Sequence, residues 1–451
     1  MNRSSSASLS QSILEDDLWT LMRRLSLPAI LGMSINGINA FVDALFVGQF
    51  VGQQAIAAVS LAFPLMMITN GFSAMIGVGS SSLLSRAIGA GDRSLQARIF
   101  PTLIGLSVIF SVLLTGLGVW FAPELIGFLG GTGEILALGV VYYRIMMIGA
   151  FFRIFAVAAN MLIRAEGKIV EAMRMMIIAT LLNMVLNPLF MGVFGWGVAG
   201  AAWATVAAMV VFTVLDLLYF YGGRASFPVD LSGFHFEGRL LRPIISVGVS
   251  AMMLQIMFFV RQAFVFKSLA YYGTEWDLAL MGASYRILLL TIFPSFGFAQ
   301  ALQPVVGISY GAGDRERARR AFRIFNLSST LLMLGLWTLI MFFPEPILSL
   351  MLPDADFTGR DLFNFRMMMA TLPAFPVFFM ATTLFQSVGN ARAAAFLLVS
   401  RELLFFIPIV LLLPLFFGAD GVYYAGVPVN ILVFGLTVGM VGWQFRRWRK
   451  E

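Results

Sequence analysis

The stretch Arg86–Arg98, RAIGAGDRSLQAR, follows one long apolar segment and precedes another, and Ser309–Arg320, SYGAGDRERARR, says the same thing again. Gly89-Ala90-Gly91-Asp92 returns as Gly311-Ala312-Gly313-Asp314, 222 positions later and roughly half a chain length on. One such turn is a weak signal. Two at matching places among apolar segments mean two similar halves. Each half then carries a short charged hinge after its second apolar segment, with Gly89, Gly91 and Asp92 in the first and Gly311, Gly313 and Asp314 in the second.

Composition sets the environment. Of 451 residues, 59% are hydrophobic and 12% charged, against about 25% charged in a soluble domain. The chain lacks the charge to clothe soluble surfaces, and its apolar runs are long enough for helices to span a bilayer rather than barrel strands. Twelve segments can be drawn, near 25–48, 56–85, 99–122, 135–162, 171–193, 198–221, 243–270, 278–310, 320–343, 362–388, 394–417 and 421–445. The expected architecture is an all-α membrane protein of two six-helix bundles, 1–222 and 243–451, joined by a linker at 223–242. Six crossings per half return the chain to its starting side, which makes the halves parallel repeats about an axis along the membrane normal.

Basic residues fall on one side. Arg86, Arg93 and Arg98, Arg164, Lys168 and Arg174, the linker arginines, Arg315–Arg323 and the C-terminal cluster all lie in even loops or tails. Odd loops hold little beyond Lys267 and Arg360 among several acids. By the positive-inside rule both termini and the even loops face the cytosol. The net charge of +7 therefore reports topology, and nucleic acid is not an expected partner. Cysteine is absent and His235 is the sole histidine, which removes disulfides, thiolate metal sites and histidine metal clusters. Gly77-Val78-Gly79 with Ser80–Ser82 lies inside a span without the following lysine of a phosphate loop, so it reads as close helix packing. Prolines within or beside spans, among them Pro28, Pro64, Pro188, Pro294, Pro304 and Pro408, loosen helix turns and favour bending.

Ionisable groups inside spans are functional candidates by default, because burying them in lipid costs several kcal/mol. Asp43 is the clearest acid, and Asn36, Asn39 and Asp43 share one face of the first helix. Asn183 and Asn187 share a face of the fifth. A carboxylate away from water holds a proton more readily and gives it up when wetted. Arg144, Arg153, Arg261, Arg286 and Arg366 also fall within drawn spans. Arg144 and Arg366 lie near outer ends and can snorkel. Arg153, Arg261 and Arg286, with Gln255 and Gln300, are candidates to line a central cleft and hold a negative group on a substrate. Asp216 reads as a snorkelling or packing residue.

Taken together, AFVDALFVGQF (Ala40–Phe50), the two GAGD turns, NMLIRAEGK (Asn160–Lys168), Asn183–Thr205, Phe296–Asp314 and Ser400–Ala425 resemble the multidrug and toxin extrusion (MATE) transporters, over nearly the whole chain. The resemblance implies non-enzymatic export of organic cations, driven by a proton or sodium gradient, by a protein of the cytoplasmic membrane with no bound cofactor. It places a coupling site inside the first bundle at Asp43, Asn160, Asn183, Asn187 and Thr205. Many relatives carry an acid where this chain has Asn187, and that loss weakens the case for sodium and leaves a proton on Asp43 as the expected coupling ion. Lipid-linked oligosaccharide flippases of the wider superfamily supply the alternative, an anionic or lipid-linked substrate. A monomer surrounded by lipid, binding a small molecule, is expected.

Overall fold

The computed structural model describes residues 11–229, 237–352 and 355–450. His235 and the middle of the expected linker lie outside the described residues. Helices account for the whole architecture, and no strand occurs among the described residues. In chain order they are α1 (Leu18–Phe50), α2 (Gln53–Gly89), α3 (Arg93–Trp120), α4 (Gly133–Ile148), α5 (Ala150–Ala165), α6 (Ile169–Pro188) and α7 (Gly197–Tyr221). The second half holds α8 (Gly238–Tyr272), α9 (Glu275–Gly311), α10 (Arg315–Phe342), α11 (Gly359–Met369), α12 (Phe375–Ser387), α13 (Ala391–Val399) and α14 (Gly426–Lys450). Helix α8 starts at Gly238, inside the segment expected to be linker.

Ten helical spans among the described residues are long and apolar enough to cross a membrane, and α4 with α5, bent by 52° at Gly149, makes an eleventh. The 33-residue α1 is long enough for a twelfth. At the bend Gly149 packs closely on Val206 of α7, where a side chain would clash.

The internal repeat is visible atom by atom. Each GAGD turn spends its residues in the same way. Gly91 and Gly313 take φ of +69° and +83°, a left-handed conformation in which glycine escapes the Cβ penalty. Asp92 then caps α3 by accepting from Leu95 N–H at 3.0 Å, and Asp314 caps α10 by accepting from Arg317 N–H at 2.8 Å. The leading glycines serve close approach: Gly89 lies against the Ile308 carbonyl and Gly311 against the Arg86 carbonyl. Arg144 donates to the Val119 carbonyl at 3.2 Å, and Arg366, 222 positions later, to the Met341 carbonyl at 3.0 Å. Both arginines are exposed and end on helix-terminal carbonyls, as snorkelling requires.

The two halves meet along a seam. Helix α2 packs on α8, and α9 packs on α1 and α2. Glycines carry the contact, with Gly79 against Ile244, Gly248 against Met75, Gly307 against Ser85 and Gly297 against Ile30. This is the small-residue packing by which membrane helices approach closely. Gly77 meets Met161 of α5 in the same manner, so the glycine-serine run is a packing surface. The seam runs from the end bearing the GAGD turns, the hinge end, to Gly37, which meets Phe293. Beyond that level, toward the far end, exposed residues appear on the facing helices: Ile38 is 50% exposed, Leu290 43%, and Arg286 is exposed too.

Candidate functional site

The polar cluster inside the first half is assembled by three helices. Asp43 of α1 is half-buried, and both its oxygens accept amide hydrogens, Oδ1 from Asn187 Nδ2 at 2.6 Å and Oδ2 from Asn39 Nδ2 at 3.0 Å. Asn39 Nδ2 also reaches Asn183 Oδ1 at 3.3 Å, and Asn187 Nδ2 reaches the same oxygen at 3.4 Å. Asn183 Nδ2 donates to Thr205 Oγ1 of α7 at 3.4 Å, and Thr205 donates to the Ala201 carbonyl at 3.1 Å. The i, i+4 spacing of Asn39 with Asp43 and of Asn183 with Asn187 presents two matched pairs across the α1–α6 contact.

A backbone irregularity adjoins the site. Pro188 ends α6, and Leu189–Val193 continues as a π-helical turn. Proline removes a backbone donor, and wide turns of this kind gather at functional sites. The cluster is also short of donors. The amide oxygens Asn39 Oδ1 and Asn187 Oδ1 are buried without a hydrogen-bond partner. A proton on Asp43, or a cation, would provide what they lack.

Other residues named from the sequence go elsewhere. Asn36 sits one turn away on α1, exposed and unbonded. Asn160 joins a different group: its Nδ2 donates to the Ala172 carbonyl at 2.9 Å, and its Oδ1 is buried and unpartnered. With it are Arg164 and Asp216, which are 6% and 0% exposed. Full burial removes the snorkelling alternative for Asp216 and leaves the packing one. Its carboxylate lies beside the Asn160 amide and the Arg164 charge.

Of the cleft candidates, Arg286 alone is exposed. It stands two turns from Phe293, which meets Gly37 of α1, on the same face of α9. Arg153 is held inside the first half, donating to Asn70 Oδ1 of α2 at 2.9 Å, within Coulombic reach of Asp43. Gln300 lies in the closed seam, accepting from Arg164 and donating to Met33 Sδ at 3.0 Å. Gln255 is half-buried on α8.

Arg261 lies inside the second half and pairs with Glu402 at 3.5 Å. That acid was missed in the sequence, where Asp43 is the obvious deep carboxylate. The signal was the charged pair Arg401-Glu402 within a drawn span.

Outside the spans one acid stands out. Glu166 caps the end of α5, is 2% exposed, and accepts from the Tyr219 hydroxyl and the Ser226 N–H. Burial pushes its carboxyl up to about 7 against the pull of those donors and of Lys168.

Comparison with known proteins agrees with this architecture. The family model described as MatE matches twice, over residues 28–189 and 249–412, which repeats the separation of the two GAGD turns. The multidrug export protein MepA of Staphylococcus aureus (strain NCTC 8325 / PS 47) is 24% identical over 406 residues, covering 90% of this chain and 89% of MepA. A multidrug-resistance MATE family transporter solved in an outward-facing conformation superposes with a TM-score of 0.91 at 26% identity, covering 98% of each chain. A transporter of the same superfamily from Pyrococcus furiosus, described by a binding pocket of reverse polarity that suggests a different function, also gives 0.91 and 26%, again over 98% of each chain.

Proposed function

The chain belongs to the MatE family of multidrug efflux transporters and is not an enzyme, and from that premise we propose that it exports organic, cationic amphipathic compounds in exchange for protons, by alternating access. The observation that carries the proposal is the Asp43 cage. One carboxylate in the interior of the first half takes amide hydrogens on both oxygens, beside two amide oxygens that have no donor. A proton arriving on Asp43 converts an acceptor into a donor, and an amide that turns over to present its oxygen then accepts from it. A proton leaving restores the anion, which the two amides hold. Loading and unloading thus rearrange hydrogen bonds that tie α1 to α6, and α1 also lies on the seam against α9.

The hinge end, closed by the glycine seam, carries the basic loops and faces the cytosol on this reading. The Met and Phe stock of the chain provides adaptable walls for varied ligands.

Sodium is the competing coupling ion. The oxygens of Asp43, Asn183 and Thr205, with the orphaned oxygens of Asn39 and Asn187, are hard donors of the kind it takes. A single carboxylate favours the proton. Inside-out vesicles separate the two. Uptake of a fluorescent organic cation is expected under an imposed pH gradient without sodium, and its loss in Asp43→Asn. Uptake that needs a sodium gradient overturns proton coupling, and undiminished uptake in Asp43→Asn overturns the role of the carboxylate.

A second reading, export or flipping of an anionic or lipid-linked substrate, draws on one observation: Arg286 is exposed on the α9 face that opposes α1. Exporting an anion would also gain about 2.3 kcal/mol per charge per 100 mV of membrane potential. Arg286→Gln distinguishes the readings, since cation uptake should persist or rise in that variant and anion export should fall.

A further inference from the structure

We propose that the hinge end of the second half carries a site for the headgroup of an anionic phospholipid, in the groove between α10 and α14. Arginines of both helices surround its phosphodiester, and its acyl chains run along α10. The groove has an aromatic floor. Phe322 of α10 meets Phe445 of α14 with ring centroids 5.5 Å apart, and Trp448, one turn further on α14, meets Tyr310 of α9 at 5.6 Å. Arg323 follows the first ring in sequence and Arg446 the second, and both are exposed. Arg319 and Arg449 lie within a turn of the same two rings.

Acids do not balance these groups. Arg319 pairs with Glu316 at 3.1 Å, and Arg320 shares the same oxygen at 3.3 Å. One carboxylate thus serves two guanidiniums, and Arg319 Nε is buried without a hydrogen-bond partner. Arg323 and Arg446 have no ion pair among the described residues. The positive-inside rule asks for basic residues at this end. It does not ask that they gather on one groove of one half.

The repeat shows what fills such a groove. Phe100, 222 positions before Phe322, packs on Phe220 of α7 at 4.1 Å, and Phe227 covers Phe220 in turn at 6.2 Å and is buried. Phe227 comes back because α7 ends at Tyr221 and the chain turns at Gly223, whose φ is +66°. Arg98 of α3 pairs with Glu237 at 3.0 Å. The first half thus draws an apolar cover and an acid from its own chain. In the second half α14 runs on as helix to Lys450. Arg319 and Arg323 stand in the places of Ala97 and Pro101, and Arg449 in the place of Phe227. An anion with an apolar tail meets both needs at once. Arg323, Leu327, Leu331 and Leu334 share one exposed face of α10, a track for acyl chains that starts at a cation. Trp443, exposed one turn before Arg446, is the side chain that marks membrane interfaces.

The inference needs only that the chain spans a membrane and does not depend on what is exported or which ion couples. Its test weighs the full chain by native mass spectrometry from detergent, after addition of equimolar phosphatidylglycerol and phosphatidylcholine with identical acyl chains. Retention of one phosphatidylglycerol is expected, at least tenfold in preference to phosphatidylcholine. Each basic residue near an anionic headgroup is worth about fivefold, so Arg323→Gln with Arg446→Gln should erase the preference. Arg323→Lys with Arg446→Lys should keep most of it. Arg93→Gln with Arg224→Gln, which takes the same charge from the hinge end of the first half, should leave it whole. Equal retention of the two lipids by the native chain overturns the proposal, even if a variant fails to fold. So does equal loss in the two glutamine pairs, which would make the preference a matter of total charge. Displacement of the lipid by inorganic phosphate would assign the groove to free phosphate and overturn the lipid.

Discussion

Gly297 of α9 lies against the backbone of α1, and a Cβ placed there would stand 2.7 Å from both Ile30 N and Ile30 Cα. Backbone atoms have no rotamer by which to retreat, so Gly297→Ala must push α9 away from α1 to restore ordinary contact. Overpacking of this kind costs about 1–3 kcal/mol. The cost falls on the arrangement in which the seam is closed and vanishes once the halves separate. It therefore shifts the balance between the two arrangements by about five- to 150-fold, at 1.4 kcal/mol per tenfold. The chain has no cysteine, so one introduced thiol reports without background. Ser85, 0% exposed and pressed against Gly307 of α9, is the place for it. In a Ser85→Cys parent, maleimide labelling from the hinge side should be slow, and Gly297→Ala should accelerate it by that factor. Gly335→Ala on α10, where a Cβ meets nothing within 4 Å, should leave the rate at the parent value. If Gly297→Ala labels at the parent rate with an unchanged melting temperature, the glycine seam is not what closes the hinge end.

Asn187→Asp adds a second carboxylate beside Asp43, and it should raise sodium affinity in the first half by at least tenfold, read by calorimetry with sodium against potassium. Removing the caps of the two GAGD turns, Asp92→Ala and Asp314→Ala, should each cost about 1 kcal/mol, visible as a small drop in melting temperature of similar size for the two. Glu166 sets a pH dependence. Burial pushes its carboxyl up from about 4.5 to about 7, so the folded state binds the proton more tightly than the unfolded chain. The stability this contributes is complete below about pH 4.5 and is lost as pH rises through 7, a swing of ~3 kcal/mol at 1.36 kcal/mol per unit. Thermal melts should therefore fall between pH 5 and 8 in the native chain, and Glu166→Gln should flatten that part of the profile.

The chain's own order of residues settled the class of protein and the duplication. An apolar run of membrane length must become a helix because lipid offers no partner to backbone groups, so twelve such runs made an all-α membrane protein before any contact was known. The GAGD turn encodes three local demands, close approach, a left-handed cap and a side-chain cap, and local demands are legible in sequence. Asn39 with Asp43 and Asn183 with Asn187 were legible as helix faces. That the faces meet depends on α1 packing on α6, where the hydrogen bonds among these residues form.

Partnerships across the fold were a different matter. Asn160 joined Arg164 and Asp216, Gln300 entered the seam, and Arg261 found Glu402 some 141 residues away. A charge inside a span announces by itself that it must be compensated. Which opposite charge compensates it is decided only by the packing of helices from distant parts of the chain, because a few ångströms of helix rotation separate an ion pair from an orphan.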